Sequence, residues 1–286
     1  MNFRTDLAIE AVSERGPDPR DVTTETVKTG DLTITRMRIL TPEGAEALGK
    51  PKGRYITAAL PRLTDDEHHL AAYAQALGQE LGALLPPEGT VLVVGLGNRT
   101  VTPDALGPAV ADMVLATRHI RGEFARSAGL TDLRPVAVVA PGVLGQTGTE
   151  SSELTRGVCR EIHPGAVVVV DALAARSTAR LGCTVQLCDT GISPGSGVGN
   201  NRSPLNRQVL GVPVIGLGVP TVVDAATLVS EMTGHDAAPA DPPMMVTPRE
   251  VDLMISRAAR LLALTINAAL QPAYSPVDLV EVARGL

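Results

Sequence analysis

The chain has 286 residues and a formal net charge of −6 at pH 7, with no basic stripe, so direct binding to nucleic acid is not expected. It is 44% hydrophobic but has no Trp, three Tyr and two Phe. Its core must therefore be Val, Leu, Ile and Ala, which suits a parallel sheet covered by helices and leaves no base-stacking surface.

Residues 1 to 30 are polar, carry Pro17 and Pro19, and read as an exposed, partly ordered arm. They lack the apolar stretch of a signal peptide. DLTITRMRIL alternates as a strand, RYITAAL is a shorter strand candidate, and PEGAEALG between them reads as a short helix. Together they predict a small β-rich subregion over 31–62 within a single domain spanning the chain. DDEHHLAAYAQALGQELGALL has helical periodicity, with Thr64 as its capping candidate and Pro86 and Pro87 beyond its end. From residue 90 short apolar runs take over: TVLVVGLG, PVAVVAPG, AVVVVDA, TVQLCDT and VPVIGLGVP. Helical segments are expected at 104–117, 150–162, 222–232 and 249–270. The alternation predicts an α/β fold, a largely parallel sheet flanked by helices, with its core over 90–270. The best apolar run, AVVVVDALAA, is broken by Asp171, so no membrane span is expected.

In such sheets ligands lie outside the carboxyl ends of the strands. That rule selects the loops 95–104, 140–149, 171–177 and 189–200. In the first, Gly95 and Gly97 begin a dinucleotide fingerprint, but Thr100 stands where the third glycine belongs. Two readings stay open: a tight strand-to-helix turn, or a nucleotide-binding module. Thr102 reads as an N-cap and Pro103 as the first helical residue, which puts Asp104 in the first turn, near the positive end of a helix.

Asp171 follows AVVVV directly and reads as ending a strand deep in the sheet, where a carboxylate is costly unless paired. Arg176 is close enough in sequence to be its partner. Alternatively, Asp104 and Asp171 face one cleft from two strand ends and share a proton, one acting as base and the other as acid. Asp189-Thr190-Gly191 matches the tripeptide of pepsin-like proteases, yet those need all-β lobes. The glycines of 191–199, including Gly195 and Gly197, mark a backbone suited to an active-site rim or anion nest. His68, His69, His119 and His163 form no metal cluster, and no metal or other cofactor is expected. Ser177 and Ser196 have no evident Ser/His/Asp geometry. Cys183 and Cys188 read as packing, and with Cys159 they form no CxxC pair, which suggests reduced thiols in a cytoplasm.

VVGLGNRTVTPDALGP, TRH, APGVLGQTGTES, DALAARS, DTGISPGSGVGNNR, GVPVIGLGVPTVVDA and MVTPREVD, in that order, resemble the germination protease of spore-forming bacteria. RTDLAIE and GAEALGKPKGRYIT extend the likeness towards the N-terminus. The resemblance implies a fold like that of hydrogenase-maturation peptidases. It also implies an endopeptidase that starts degradation of small acid-soluble spore proteins during germination, in the cytoplasm of the spore core. A homotetramer and an inactive precursor that cleaves its own N-terminal segment are implied too. So is a preference for an acidic residue before the cut, with a hydrophobic residue and then Ala after it.

The family's proposed pair of catalytic aspartates falls on Asp104 in TPDALGP and Asp171 in DALAARS. TDLAIE presents the family's cleavage order, so self-processing is expected between Asp6 and Leu7, with residues 1–6 as a propeptide. Arg176 and Arg202 are candidates to receive the acidic side chain. Asp189, Gly195 and Gly197 are candidates for substrate or oxyanion contacts. The sequence departs from the family in its leader of only a few residues and in the short segment between VVDAATLVSEMTG and MVTPREVD, where a longer insertion is expected. Both departures bear on regulation and assembly. The alternative enzyme reading is a metal-dependent peptidase of the hydrogenase-maturation type, in which the same carboxylates hold a metal.

Overall fold

A computed structural model describes residues 5–15, 18, 20–65, 68–120, 132–195, 202–235, 237, 238, 240 and 243–285. The strands are β1 Val22–Thr29, β2 Leu32–Ile39, β3 Gly53–Ala59, β4 Val91–Gly95, β5 Val136–Val139, β6 Ala166–Ala175, β7 Thr184–Cys188, β8 Val214–Asp224 and β9 Met245–Val246. They form one sheet in the order β1-β2-β3-β7-β8-β6-β4-β5, with β9 paired to β8. β8, β6, β4 and β5 run parallel. β7, β3, β2 and β1 continue the sheet antiparallel. The α/β architecture is as expected, with the parallel strands confined to one half. The stretch 31–62 supplies β2, a helix and β3, and joins the main sheet through the β3–β7 pairing.

The helices are α1 Ala8–Arg15, α2 Pro42–Leu48, α3 Leu70–Gly82, α4 Leu106–Ala111, α5 Leu144–Thr147, α6 Ser151–Ile162, α7 Arg207–Leu210, α8 Ala225–Thr233, α9 Val251–Leu270 and α10 Pro276–Gly285. The pleat divides each parallel strand between two cores. Val91, Val93, Val168, Val170, Ile215 and Leu217 face α3, α4 and α9. Leu92, Val94, Val167, Val169 and Val214 face α6 and α7. Burial on both faces is why these strands read as unbroken apolar runs. By length and hydropathy α9 could cross a membrane, but 72% of its most apolar window is buried inside the protein, where the helix packs on α3 and α4.

Several local expectations are corrected. The described residues between 5 and 30 do not form an exposed arm: Leu7 and Ala8 are fully buried, and β1 pairs along its whole length with β2; residues 1–4 lie outside the described residues. β1 was hidden because seven of its eight residues are exposed on an edge strand, so VTTETVKT shows no apolar face. Thr64 bonds Asp65 rather than capping α3, whose N-cap is His69. The segment 104–117 is α-helical only over Leu106–Ala111; beyond it the Asn267 side chain of α9 accepts from the Leu115 N–H that a longer helix would use. Asp171 does not end its strand. It is the sixth residue of β6, which continues beside β8 to Ala175.

Candidate active site

The loop after β4 folds back on itself. Gly97 has φ 119°, and a Cβ there would lie 1.9 Å from the Asp104 carbonyl oxygen, so only glycine fits. This approach lets the Asn98 N–H donate to both the carbonyl oxygen (3.1 Å) and Oδ2 (2.8 Å) of Asp104. The N–H groups of Thr100 and Val101 are also taken within the loop, by Asn98 Oδ1 and Asn98 O. Gly97 thus lets the loop hold the Asp104 carboxylate, and the N–H groups of Asn98, Thr100 and Val101 are taken by the loop itself. Thr102 is not the cap expected of it. It opens a 3₁₀ turn, Thr102–Asp104, whose N-cap is Val101.

The last β4–β6 pairing joins Gly95 to Val170, so Asp171 stands one residue beyond the carboxyl end of β4. Val168 and Val170 face α9, so Asp171 points to the opposite side. It is 7% exposed, and the Ala172 N–H donates to its Oδ1 at 2.9 Å. Burial, and then the charges of Asp104 and Asp6, push the Asp171 carboxyl well above the usual carboxylate range. Burial also raises Asp104, but the Asn98 N–H and the Arg202 charge oppose it. The pair is therefore unequal. Asp171 is the better holder of a proton and Asp104 the better holder of charge, an arrangement suited to general acid–base chemistry.

Asp104 and Asp171 line one cleft of about 390 Å³, together with Asp6, Gly97, Gly195 and Arg202. An adjoining cavity of about 320 Å³ shares Asp6 and Asp171 and adds Lys50, Gln186 and Gly218. Of the sequence candidates, Arg202 and Gly195 are thus brought to the cleft. Gly197 and Ser196 lie outside the described residues. Arg176 lines a different cavity, with Glu10, Ser177 and Cys183, and its N–H donates to Glu10. It is not the partner of Asp171. Asp189 is spent on structure, since its carboxylate accepts from the Arg54 N–H at 2.7 Å and the Arg54 Nε at 2.8 Å. Among the described residues, no group of three His, Cys, Asp or Glu side chains is arranged to hold a metal ion.

The N-terminal segment is docked beside this cleft. The Asp6 N–H donates to Ala174 O at 3.0 Å, and the Ala174 N–H returns a bond to Asp6 Oδ2 at 2.8 Å. Leu7 is buried among Leu173, Ala175, Leu181 and Val223. Ala8 packs in a separate cluster with Val22, Met37 and Tyr55. Glu10 anchors the start of α1 by accepting from the N–H groups of Arg176 and Ser177. Sequence reasoning missed Lys50 and Gln186, which contact this segment. The available signal for Gln186 is a polar residue in the centre of the buried run TVQLC, whereas Lys50 has none.

A family model for germination protease matches residues 5–236. The germination protease of Clostridium acetobutylicum is 40% identical over 317 residues, covering 95% of this chain and 96% of that protein. The germination protease of Caldanaerobacter subterraneus subsp. tengcongensis is 39% identical over 325 residues, covering 99% and 98%. Among solved structures, a NiFe hydrogenase maturation protease from Thermococcus kodakarensis aligns with 66% of this chain and 99% of its own, at 18% identity and a TM-score of 0.38. The chain belongs to the germination protease family and is a peptidase.

Proposed function

We propose that this peptidase is an endopeptidase working through Asp104 and Asp171, and that it cuts its own chain between Asp6 and Leu7. The observation that carries the reading is the docked segment: Asp6 lines the same cleft as both aspartates. In this reading Asp104 takes a proton from a water in the cleft while Asp171 holds the proton destined for the leaving nitrogen. General acid–base help of this kind is worth roughly 10²–10⁴-fold.

The same segment supports the preference for an acidic residue, then a hydrophobic residue, then Ala. The Ala174 N–H holds the Asp6 carboxylate, an apolar pocket takes Leu7, and Ala8 is closely enclosed. Substrates are small acid-soluble spore proteins, the assembly is a homotetramer, and the site of action is the cytoplasm of the spore core; these three follow from the family resemblance.

The test is intact-mass spectrometry of the purified full chain, with cleavage of a peptide carrying TDLAIE followed in parallel. Loss of residues 1–6 by the wild type, and retention by Asp104→Asn and Asp171→Asn, is the expected result. A wild type that cuts neither its leader nor the peptide would refute the reading.

A further inference from the structure

We infer that Lys50 and Gln186 form the oxyanion-binding pair of this peptidase, donating to the carbonyl oxygen that gains charge when water attacks the Asp6–Leu7 bond. The inference rests on the self-cleavage reading above.

Both donors already hold that oxygen. Gln186 Nε2 donates to Asp6 O at 2.8 Å, and Lys50 Nζ donates to it at 3.1 Å and to Thr5 O at 2.9 Å. Gln186 also straddles the bond: its Oε1 accepts from the Ala8 N–H at 2.6 Å. The Leu7 N–H is directed to Thr5 Oγ1 at 3.0 Å, which fixes the plane of the same peptide unit. A peptide needing only an anchor could be held by its backbone pairing to Ala174. Two side-chain donors converging on one carbonyl oxygen, beside a cavity lined by Asp171, is the geometry that polarises a bond.

The sheet explains why these residues meet. Gln186 and Asp171 both pair in register with Gly218, from β7 and β6 on either side of β8. Paired residues project to the same face, so the two polar side chains stand one strand apart, their Cα atoms about 10 Å from each other. Between them Gly218 has no side chain, and a Cβ there would meet Asp171 O at 2.5 Å and the Leu173 side chain at 2.7 Å. These atoms leave room only for glycine at 218, and Gln186, Gly218 and Asp171 line one cavity together with Asp6. Lys50 reaches it from just beyond α2. Burial lowers the Lys50 pKa, while the charges of Asp6, Cys188 and Glu10 oppose that shift.

The step balances without any further reagent. The ionised carboxylate of the Asp104–Asp171 pair takes a proton from water. The hydroxyl oxygen bonds to the Asp6 carbonyl carbon, and the π electrons move onto the oxygen held by Lys50 and Gln186. Collapse restores the carbonyl, breaks the C–N bond, and draws the proton of the neutral carboxyl onto the Leu7 nitrogen. The pair ends with one proton, as it began, and the new Asp6 α-carboxyl loses its own to solvent.

The experiment compares the full chain carrying Lys50→Met, Lys50→Arg or Gln186→Glu with wild type. Leader loss is followed by intact mass, TDLAIE-peptide cleavage by kcat and KM, and folding by thermal melting. Removing one oxyanion donor costs about 10²–10³-fold in kcat. Lys50→Met and Gln186→Glu should each show a loss of that order with little change in KM, and Lys50→Arg should recover part of it. Gln186→Glu keeps the shape of the side chain and carries the test if Lys50→Met fails to fold. Variants that cut the leader and the peptide at wild-type rate, or that change KM alone, would overturn the assignment while leaving the self-cleavage reading standing. A wild type that cuts its peptide but keeps its leader would overturn self-cleavage and, with it, the assignment of Lys50 and Gln186 to the Asp6–Leu7 bond. A wild type that cuts neither would sink both.

Discussion

The two faces of the sheet are built from the same strands and do opposite work. Towards α3, α4 and α9 the parallel strands and β7 present mainly Val, Leu, Ile and Ala, packed on helices whose buried residues are mostly apolar, Thr265 and Asn267 of α9 being exceptions. Towards the N-terminal segment the same strands present Asp171, Gly218 and Gln186 in one row. In the proposed mechanism, alternate residues thus separate stability from chemistry at the spacing of a single pleat. The dry face keeps the strands rigid, and a rigid strand can hold a buried carboxylate that would otherwise be unfavourable.

The comparison breaks most severely at the polar face. Asp171→Asn should reduce peptide cleavage by roughly 10²–10⁴-fold without unfolding the chain, because an amide of the same shape cannot exchange a proton as a carboxyl does. Turnover of the purified variant measures this, and near-wild-type turnover would remove Asp171 from the mechanism.

On the dry face the expected damage is to stability alone. Leu77 of α3 is fully buried in the main core, and Leu77→Ala should cost about 2–5 kcal/mol through lost transfer energy and the cavity left behind. Denaturant unfolding reports the loss, while turnover per folded molecule stays at the wild-type level. A drop in kcat without a drop in stability would mean that the faces are not separable.

A smaller effect sharpens the contrast through pH. The native pKa of Asp171 lies above its unfolded value of about 3.9. Below that unfolded value both states hold the proton and nothing is lost. As pH rises from there to the native pKa, the unfolded state ionises first and wild-type stability falls, levelling off above the native pKa. Asp171→Asn lacks this loss. Its melting temperature should exceed that of wild type by a few degrees at neutral pH, with the gap closing as pH falls through about 4. A constant gap across that range would contradict the assignment of a raised native pKa.

The smallest change concerns Asp189, which directly follows β7 and bonds Arg54 of β3. Its pairing with the half-exposed Arg54 is worth about 1 kcal/mol or less, and Asp189→Asn should leave turnover nearly unchanged. A large loss of kcat would return Asp189 to the list of site residues.

Legibility followed local patterning. β2, β3, α2 and the five runs from residue 90 onward were readable because apolar spacing and turn residues are local signals. Asp104 was legible from its place in a strand–glycine–proline turn. Asp171 was legible as a carboxylate in an apolar run, but its strand's length was not, since β8 rather than β4 supports the continuation to Ala175. Arg176 was the nearest cation in sequence, yet the chain turns it towards Glu10. The leader was misread for a related reason. TDLAIE has polar neighbours, and nothing local says that Leu173, Ala175, Leu181 and Val223 converge to bury Leu7.

By itself the sequence determined the α/β class, the positions of the two aspartates and, through ordered motifs, the family. These depend on residue type and spacing along the chain, which need no knowledge of neighbours in space. Only the tertiary structure decided that Asp6, Lys50, Gln186 and Asp171 share a cavity. Lys50 and Gln186 are 136 residues apart in the numbering of the chain, and they meet because the antiparallel half of the sheet docks on the parallel half through β7 and β8. Strand order and register place those contacts, and both are set by the packing of whole strands and helices, which no short stretch of sequence encodes.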